Sequence, residues 1–247
     1  EHFYINHNPM IYERLSWIIF SLLGLMAMRL LAVTDFHGAT TAIRRASEKA
    51  AKEKLDLILV CGDVTHFGSY DLAKEFLKLL AKSKCPVLFV PGNCDPPELV
   101  KGVRIRGVSN LHETCKVQND LCFVGIGGSP PSPFFTLNEF SEERILGILE
   151  NAYGEVDETK KLILVSHSPP YNTRLDATSL GKHVGSRAIR KFIEDEKPIL
   201  AVCGHIHEAR GVDRIGLTTI VNPGPASRGY CAKIAISRKI NVRLDVL

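Results

Sequence analysis

Short apolar runs alternate with amphipathic segments along most of the chain. Residues 40–54 are rich in Ala, Lys, Glu and Arg, a composition typical of a surface helix. In residues 70–83 the apolar positions recur at helical spacing, and a further helix is expected from about Ser186 to Glu194. The runs that predict buried strands are RLLAVT, LDLILVC, CPVLFV, KLILVS and ILAVC. This alternation predicts an α/β protein that contains a parallel sheet.

Two other regions favour antiparallel strands. The segment VSNLHETCKVQNDLCFVGIGG resembles paired strands with Asn119-Asp120 as the turn. The tail contains GLTTIVN, CAKIAIS and NVRLDVL, three short strands suited to a second sheet.

Between these two regions, Ser141 is expected to cap a helix whose first turn carries two glutamates. Because no tandem repeat or long low-complexity linker interrupts the pattern, residues 29–247 are predicted to form a single domain.

Residues 1–28 differ from the rest of the chain. Leu15 to Met28 is a run of 14 residues without a charge, shorter than the roughly 20 that span a membrane. A signal-peptide core fits this length, but no basic region precedes the run. We expect an apolar helix that packs on the domain or on a second subunit of a homo-oligomer. A membrane-surface anchor is the alternative, and the segment could also be an upstream extension of a natural start at Met10, Met26 or Met28.

Composition narrows the range of partners and compartments. The 247-residue chain is 45% hydrophobic and 23% charged, and its net charge of +4 comes from scattered Lys and Arg. No stable nucleic-acid partner is therefore expected. The seven cysteines include no Cys-x-x-Cys pair, which favours buried free thiols in a reducing, cytoplasmic setting. Cys61 and Cys203 are interpreted as strand-end core residues and not as metal ligands.

Side chains that bind metals follow five of the apolar runs. Parallel strands would bring these positions to one edge, where open α/β sheets bind their ligands. The set contains four imidazoles, two carboxylates and one amide, which suits a pair of transition-metal ions better than calcium. A turn or a helix cap would also explain single members of the set. The segments are Asp35-Phe36-His37, Gly62-Asp63, Gly92-Asn93-Cys94-Asp95, Ser166-His167 and Gly204-His205-Ile206-His207.

The order of these segments resembles the calcineurin-like metallophosphoesterases. That family has Asp-x-His, Gly-Asp, Gly-Asn-His-Asp/Glu, a lone His after a strand, and Gly-His-x-His. Residues 127–143, 167–176 and 221–230 look like the branch of predicted phosphoesterases related to the bacterial cyclic-AMP phosphodiesterase. The resemblance implies two facing mixed β-sheets flanked by helices, with the metals at one edge.

The resemblance also implies a ligand assignment. Asp63, central in the series, would bridge two divalent ions, of which Mn²⁺ is preferred and Fe, Zn or Ni remain open. One ion would be held by Asp35, His37, Asp63 and His207, and the other by Asp63, Asn93, His167 and His205.

The predicted function is a dinuclear metal-dependent phosphoesterase. We expect a phosphodiesterase in which a metal-bridging hydroxide attacks a small-molecule phosphoester. A non-catalytic protein-interaction module on the same fold is the alternative. A membrane-surface hydrolase of lipid-derived phosphodiesters is a third possibility that rests on Leu15 to Met28 alone.

One position departs from the family pattern. Cys94 stands where most members carry a histidine that contacts the scissile phosphate, and a thiol with a pKa of about 8.5 is a poor proton donor. His66 is the candidate substitute; His112 is another if a loop brings it near, although a surface position is expected. Asp95 is expected to orient a neighbouring imidazole.

Overall fold

The computed structural model describes residues 27–157 and 159–247. The apolar segment ahead of them, with its predicted helix, subunit contact or membrane anchor, lies outside the described residues. No helix within the described part is long and apolar enough to cross a membrane. The helices there are α1 Thr40–Lys52, α2 Tyr70–Ala81, α3 Glu142–Tyr153 and α4 Arg187–Glu196.

Serine caps define where three of these helices begin. The side chain of Ser69 accepts a hydrogen bond from Leu72 N at the start of α2. Ser141 Oγ accepts from Arg144 N at the start of α3, as the sequence predicts. Ser186 caps α4 in the same way. Each cap satisfies one of the free N–H groups of the first helical turn.

The strands form two mixed sheets of six strands each. In the first sheet the order is β12-β11-β1-β2-β3-β4, and β1 to β4 run parallel. In the second the order is β5-β6-β7-β8-β10-β9, with β6, β7, β8 and β10 parallel. In chain order the strands are β1 Met28–Val33, β2 Leu57–Cys61, β3 Val87–Val90, β4 Val108–Asn110, β5 Cys115–Gln118, β6 Leu121–Ile126, β7 Lys161–Ser166, β8 Leu200–Val202, β9 Gly211–Ile215, β10 Thr218–Asn222, β11 Tyr230–Ile236 and β12 Ile240–Val246.

Three buried cores hold the layers together. Leu59, Phe123 and Ile163 belong to the central core between the two sheets. The outer core of the first sheet includes Phe76 of α2, and that of the second includes Phe192 of α4. The central parallel strands are therefore buried on both faces, which explains their continuous apolar runs. The predicted architecture of two facing mixed sheets flanked by helices is confirmed.

The predicted placement of the tail strands is partly wrong. Only β10 joins the second sheet, whereas β11 and β12 pair antiparallel beside β1 in the first. The reason is that β11 buries both faces, with Cys231 in the outer core and Ile234 between the sheets. Such a strand needs an interior position in the sheet.

Two other strands differ from the sequence prediction. β9 is absent from the predicted strands. β4 pairs parallel with β3, whereas its residues were expected to belong to an antiparallel group.

The expectation that every cysteine is a free thiol is wrong for one pair. Cys115 and Cys122 form a disulfide across the β5–β6 hairpin, with their Cα atoms 6.5 Å apart. The register places Cys115 opposite Val124, so Cys122 is its diagonal neighbour on the same face. Cys61 and Cys203 are free and fully buried, as expected. Because two of the cysteines form a disulfide, the cysteines no longer indicate a reducing compartment. The cytoplasmic location stays a prediction.

Candidate metal centre

The seven predicted metal ligands meet at one edge of the molecule. They follow the carboxyl ends of β1, β2 and β3 in the first sheet and of β7 and β8 in the second. Because the two sheets face each other, the loops of both converge on a shared site.

The first group of ligand atoms contains one carboxylate and two imidazoles. Nε2 of His37 lies 3.2 Å from Nε2 of His207. Oδ1 of Asp35 lies 3.7 Å from the His37 nitrogen and 3.4 Å from the His207 nitrogen. Atoms that bind one ion at about 2.0–2.2 Å lie roughly 3–3.6 Å from one another. The spacing therefore fits a common ion.

The second group is built around His167. Its Nδ1 lies 2.7 Å from the carbonyl oxygen of Cys61, which makes Nδ1 the protonated nitrogen. Its Nε2 lies only 2.7 Å from Oδ1 of Asn93, a hydrogen-bond acceptor. Positive charge at this point would satisfy both atoms, supplied either by a second proton on His167 or by a bound metal ion. The ring of His205 lies 4.9 Å from that of His167, centroid to centroid.

Asp63 connects the two groups. Its Oδ2 lies 3.6 Å from Nε2 of His37 and 3.6 Å from Nε2 of His167. Its other oxygen, Oδ1, accepts a hydrogen bond from the backbone N–H of Cys94 at 2.8 Å. One carboxylate oxygen thus lies at the same distance from an imidazole nitrogen of each group, as expected of a bridging ligand.

An unpaired buried oxygen supports the fit to a cation. Among the described residues, Asp35 Oδ1 has no hydrogen-bond partner although Asp35 is 1% exposed. Leaving such an atom unsatisfied costs about 1–3 kcal/mol or more for a charged group. Asp35 Oδ2, by contrast, accepts hydrogen bonds from Thr34 Oγ1 and His205 N. The residues present fit two divalent ions, and the free oxygen points to where one would bind.

Four of the seven ligands adopt left-handed backbone conformations. This region is uncommon for residues other than glycine, and each instance costs on the order of 1–3 kcal/mol. Backbone hydrogen bonds hold two of them in place, from Asp35 N to Gly62 O and from His37 N to Asp63 O. The strained residues, with their φ angles, are Asp35 (54°), His37 (45°), Asp63 (51°) and His205 (69°).

Two glycines allow the loops to approach this closely. A Cβ atom at Gly92 would overlap the carboxylate of Asp63. A Cβ atom at Gly204 would overlap the hydroxyl of Thr34, next to Asp35. The glycines of the Gly-Asn and Gly-His segments are therefore required by the packing of neighbouring ligands.

Burial controls the ionisation of the ligands. Burial lowers the pKa of His37 to about 4 and that of His205 to about 3, so both imidazoles are neutral and keep a lone pair for a metal. Burial, together with the charges of Asp95 and Asp35, raises the pKa of Asp63 to about 7 against the opposing influence of His167. Burial also opposes ionisation of Asp35, but His207 and His167 hold its pKa well below the usual range.

Cys94 and His66 lie together at the edge of the centre. The sulfur of Cys94 and ring nitrogens of His66 and His37 all lie within 4.8 Å of one another. Cys94 is buried, and burial and the charge of Asp63 raise the pKa of its thiol. His66 is exposed, and its Nδ1 lies 3.3 Å from Nδ1 of His37. The structure therefore places the candidate substitute next to the position where the family histidine is missing.

His112 is not the surface residue that was expected. It is buried, its Nδ1 accepts a hydrogen bond from Gly127 N at 3.0 Å, and its ring packs 5.6 Å from that of Phe140. Burial lowers its pKa to about 4. Because its acceptor nitrogen is already used by the backbone, His112 has a structural role.

Asp95 has different partners from the imidazole that was expected. Its oxygens accept hydrogen bonds from the backbone N–H groups of Gly92, Val64 and Thr65, and from the Thr65 hydroxyl. It thereby ties the loop after β2 to the loop after β3. Asp95 is a positioning residue for Asp63 and Asn93, which lie in these two loops.

Two residues near the centre were missed from the sequence. Asn138 is buried, and its side-chain amide donates to the carbonyl oxygens of Gly92 and Asp95. Arg228 is exposed in the loop after β10, and its charge is close enough to act against protonation of His207. The preceding residue, Ser227, donates from its backbone to Asp35 O at 3.2 Å. The position of Arg228 after a parallel strand was an available signal, whereas Asn138 lies in a segment that carries the family resemblance but does not directly follow a strand and belongs to no ligand motif.

Comparison with known proteins agrees with this geometry. The model of the calcineurin-like phosphoesterase family matches residues 28–209, so the chain belongs to that family. An uncharacterized protein of Methanocaldococcus jannaschii is 43% identical over 207 residues, which cover 81% of this chain and 89% of that protein. A protein of Arcobacter nitrofigilis named as a probable glycerophosphodiester phosphodiesterase is 28% identical over 63% of this chain and 58% of its own length.

A solved structure supports the fold independently. A dimetal phosphatase from Danio rerio superposes with a TM-score of 0.67 at 12% identity, covering 89% of this chain and 96% of that one. At this identity the likeness concerns the architecture alone.

Asp95→Ala is expected to lower the free energy of unfolding by at least ~2 kcal/mol, because it leaves three buried backbone N–H groups without acceptors. Urea unfolding of the metal-free protein, followed by circular dichroism, measures this. Asp120→Ala, which removes an exposed ion pair with Lys161, is the control and should change it by less than ~1 kcal/mol. Equal stability of the two variants would contradict the role of Asp95.

Proposed function

We propose that the protein is a phosphodiesterase that hydrolyses a small phosphodiester with the help of two bound divalent ions, Mn²⁺ being preferred over Fe, Zn or Ni. The observation that carries this proposal is the position of Asp63 Oδ2, 3.6 Å from a ring nitrogen in each ligand group. The residues assigned to the ions are Asp35, His37, Asp63, Asn93, His167, His205 and His207.

The family membership supports hydrolysis of a phosphate ester. Preference for a diester is supported by the relative named as a glycerophosphodiester phosphodiesterase and by the replacement of the family histidine at Cys94. A buried thiol gives little help in protonating a leaving group, so we expect a preference for phosphodiesters whose alcohol departs readily as an anion.

The charges of the ligands suit an anionic substrate. Two divalent ions, when bound, lower the pKa of an attacking water and neutralise charge on the phosphoryl oxygens. Asp35 and Asp63 offset only half of that positive charge, and the other five ligands are neutral. Asn93 contributes an amide oxygen where a third carboxylate would weaken attraction to the phosphate. The site is thus expected to attract an anion.

His66 and Arg228 are the side chains best placed to act on the substrate itself. We assign His66 the donation of a proton or hydrogen bond to the leaving oxygen, because it lies beside Cys94 and is open to solvent. Arg228 is assigned to the phosphate. Its guanidinium has no ion-pair partner among residues 27–157 and 159–247, and it lies on the His207 side of the centre.

Asp63→Ala should remove bound metal and activity together, because both ligand groups lose their shared carboxylate. Metal content by mass spectrometry and hydrolysis of bis-p-nitrophenyl phosphate with Mn²⁺ are the two readouts. Asp120→Ala serves as the control. An Asp63→Ala protein that keeps two ions per chain and turns over normally would refute the bridging assignment.

Cys94→His is expected to raise kcat for phenyl phosphate, a monoester with a poor leaving group, by about tenfold or more, because an imidazole donates a proton better than a buried thiol. Cys94→Ser, which removes the sulfur without adding a base, should leave the ratio of monoester to diester activity nearly unchanged. If both variants show the same ratio as the unmodified protein, position 94 does not control the leaving group.

Arg228→Gln should raise KM for a diester about tenfold while the metal content stays unchanged, and Arg228→Lys should restore part of the loss. Arg238 is a matched control, since it is an exposed arginine in the β11–β12 turn at the opposite edge of the sheet. Arg238→Gln with the same KM effect would show that only general charge matters.

A further inference from the structure

The exposed phenylalanines are concentrated beside the metal centre. Of the phenylalanines in the described part of the chain, three are exposed: Phe67 at 51%, Phe134 at 81% and Phe135 at 87%. They lie in two loops, residues 64–69 after β2 and residues 127–140 after β6. Leu137 in the second loop is exposed as well. Apolar side chains grouped in this way on a surface commonly mark a binding site.

Both loops are attached to the segment that carries Asn93 and Cys94. Phe67 N donates a hydrogen bond to Cys94 O at 3.0 Å. Leu137 N donates to Asn93 O, also at 3.0 Å. The loops that carry these side chains therefore adjoin a predicted metal ligand and the position of the missing histidine. We call Phe67, Phe134, Phe135 and Leu137 the apolar rim.

Hydrogen bonds within the second loop order it and leave its apolar side chains outside. Glu139 Oε1 accepts from the hydroxyls of Ser132 and Thr136 and from Thr136 N. Ser132 Oγ in turn accepts from Phe134 N. Because Ser132, Thr136 and Glu139 are hydrogen-bonded to one another, the part of the loop that presents Phe134 and Phe135 is ordered.

Two residues of the rim also have strained backbones. Phe67 and Phe135 have φ angles of 53° and 50°, in the left-handed region that bulky residues rarely adopt. The ring of His66 packs against that of Phe67, with centroids 4.9 Å apart. Strain of this kind persists where surrounding contacts enforce it, and it is concentrated at functional sites.

We propose that the substrate carries a planar aromatic ester group, which the apolar rim binds while the phosphate lies at the metal centre. This inference rests on the proposed function and adds the chemistry of the organic group. Phenylalanine rings bind another ring by edge and face contacts, and they offer no hydrogen bonds to a polar alcohol such as glycerol. Phe67 and Leu137 lie on the Asn93–Cys94 side of the centre, so the group extends from the phosphate in that direction.

The test compares an aromatic diester, bis-p-nitrophenyl phosphate, with an aliphatic diester, glycerol-3-phosphocholine. The double variant Phe67→Asn/Phe135→Asn removes the rings, and asparagine tolerates the left-handed backbone at both positions. With the full chain loaded with Mn²⁺, the variant should raise KM for the aromatic diester about tenfold or more. KM for the aliphatic diester and the metal content should change little.

Leu217→Asn is the matched control, because Leu217 is 92% exposed in the β9–β10 turn, away from the carboxyl ends of the strands. It should leave both KM values unchanged. Equal effects of the double variant on the two diesters, or no effect on either, would overturn the proposal. So would a variant that loses binding to phosphatidylcholine vesicles while its KM for the aromatic diester stays the same, since the rim would then bind lipid.

Binding of diphenyl phosphate, measured by calorimetry, separates this inference from the proposed function. Tight binding by the Mn²⁺-loaded protein, weakened tenfold in the double variant, would support the apolar rim even if no diester is hydrolysed. That combination would reject the phosphodiesterase activity and support the binding role of the apolar rim. Hydrolysis of both diesters with the same KM values in the double variant would support the phosphodiesterase activity and reject the binding role of the rim.

Discussion

Buried hydrogen-bond acceptors lie close together at the edge where the loops of the two sheets meet. Oδ1 of Asp35 has no donor among the described residues, and Oδ1 of Asn93 lies 2.7 Å from a ring nitrogen of His167. Such atoms repel one another unless positive charge lies among them. The fold holds them together through the left-handed turns of the ligand loops and through glycines that let those loops touch.

The second layer of contacts explains how these loops keep their shape. Asp95 joins the loops after β2 and β3 through backbone hydrogen bonds, and Asn138 fastens the long loop after β6 to the same segment. The groups that position the ligands are thus themselves buried and hydrogen-bonded. Metal centres need supporting residues that are held rigidly in this way, because a ligand displaced by a fraction of an ångström binds the metal weakly.

The side of the centre around Asn93 and Cys94 differs from the rest in polarity and in exposure to solvent. The metal-ligand side is polar and buried, whereas the loops that adjoin Cys94 present phenylalanines to solvent. A thiol takes the place of the family histidine there, and the exposed His66 lies next to it. Under the proposed function, these features would separate a phosphate held by charge from an organic ester group held by apolar contact.

The pattern of residues was enough to predict the α/β class and to place the seven candidate ligands together at one edge. It could do so because buried parallel strands require apolar runs, and the residues after such strands share an edge. The folded chain was needed to show that β11 lies beside β1, that Cys115 pairs with Cys122 and that Asp95 accepts hydrogen bonds from backbone amides. Those outcomes depend on which faces are buried and which distant groups meet, and local pattern carries no record of either.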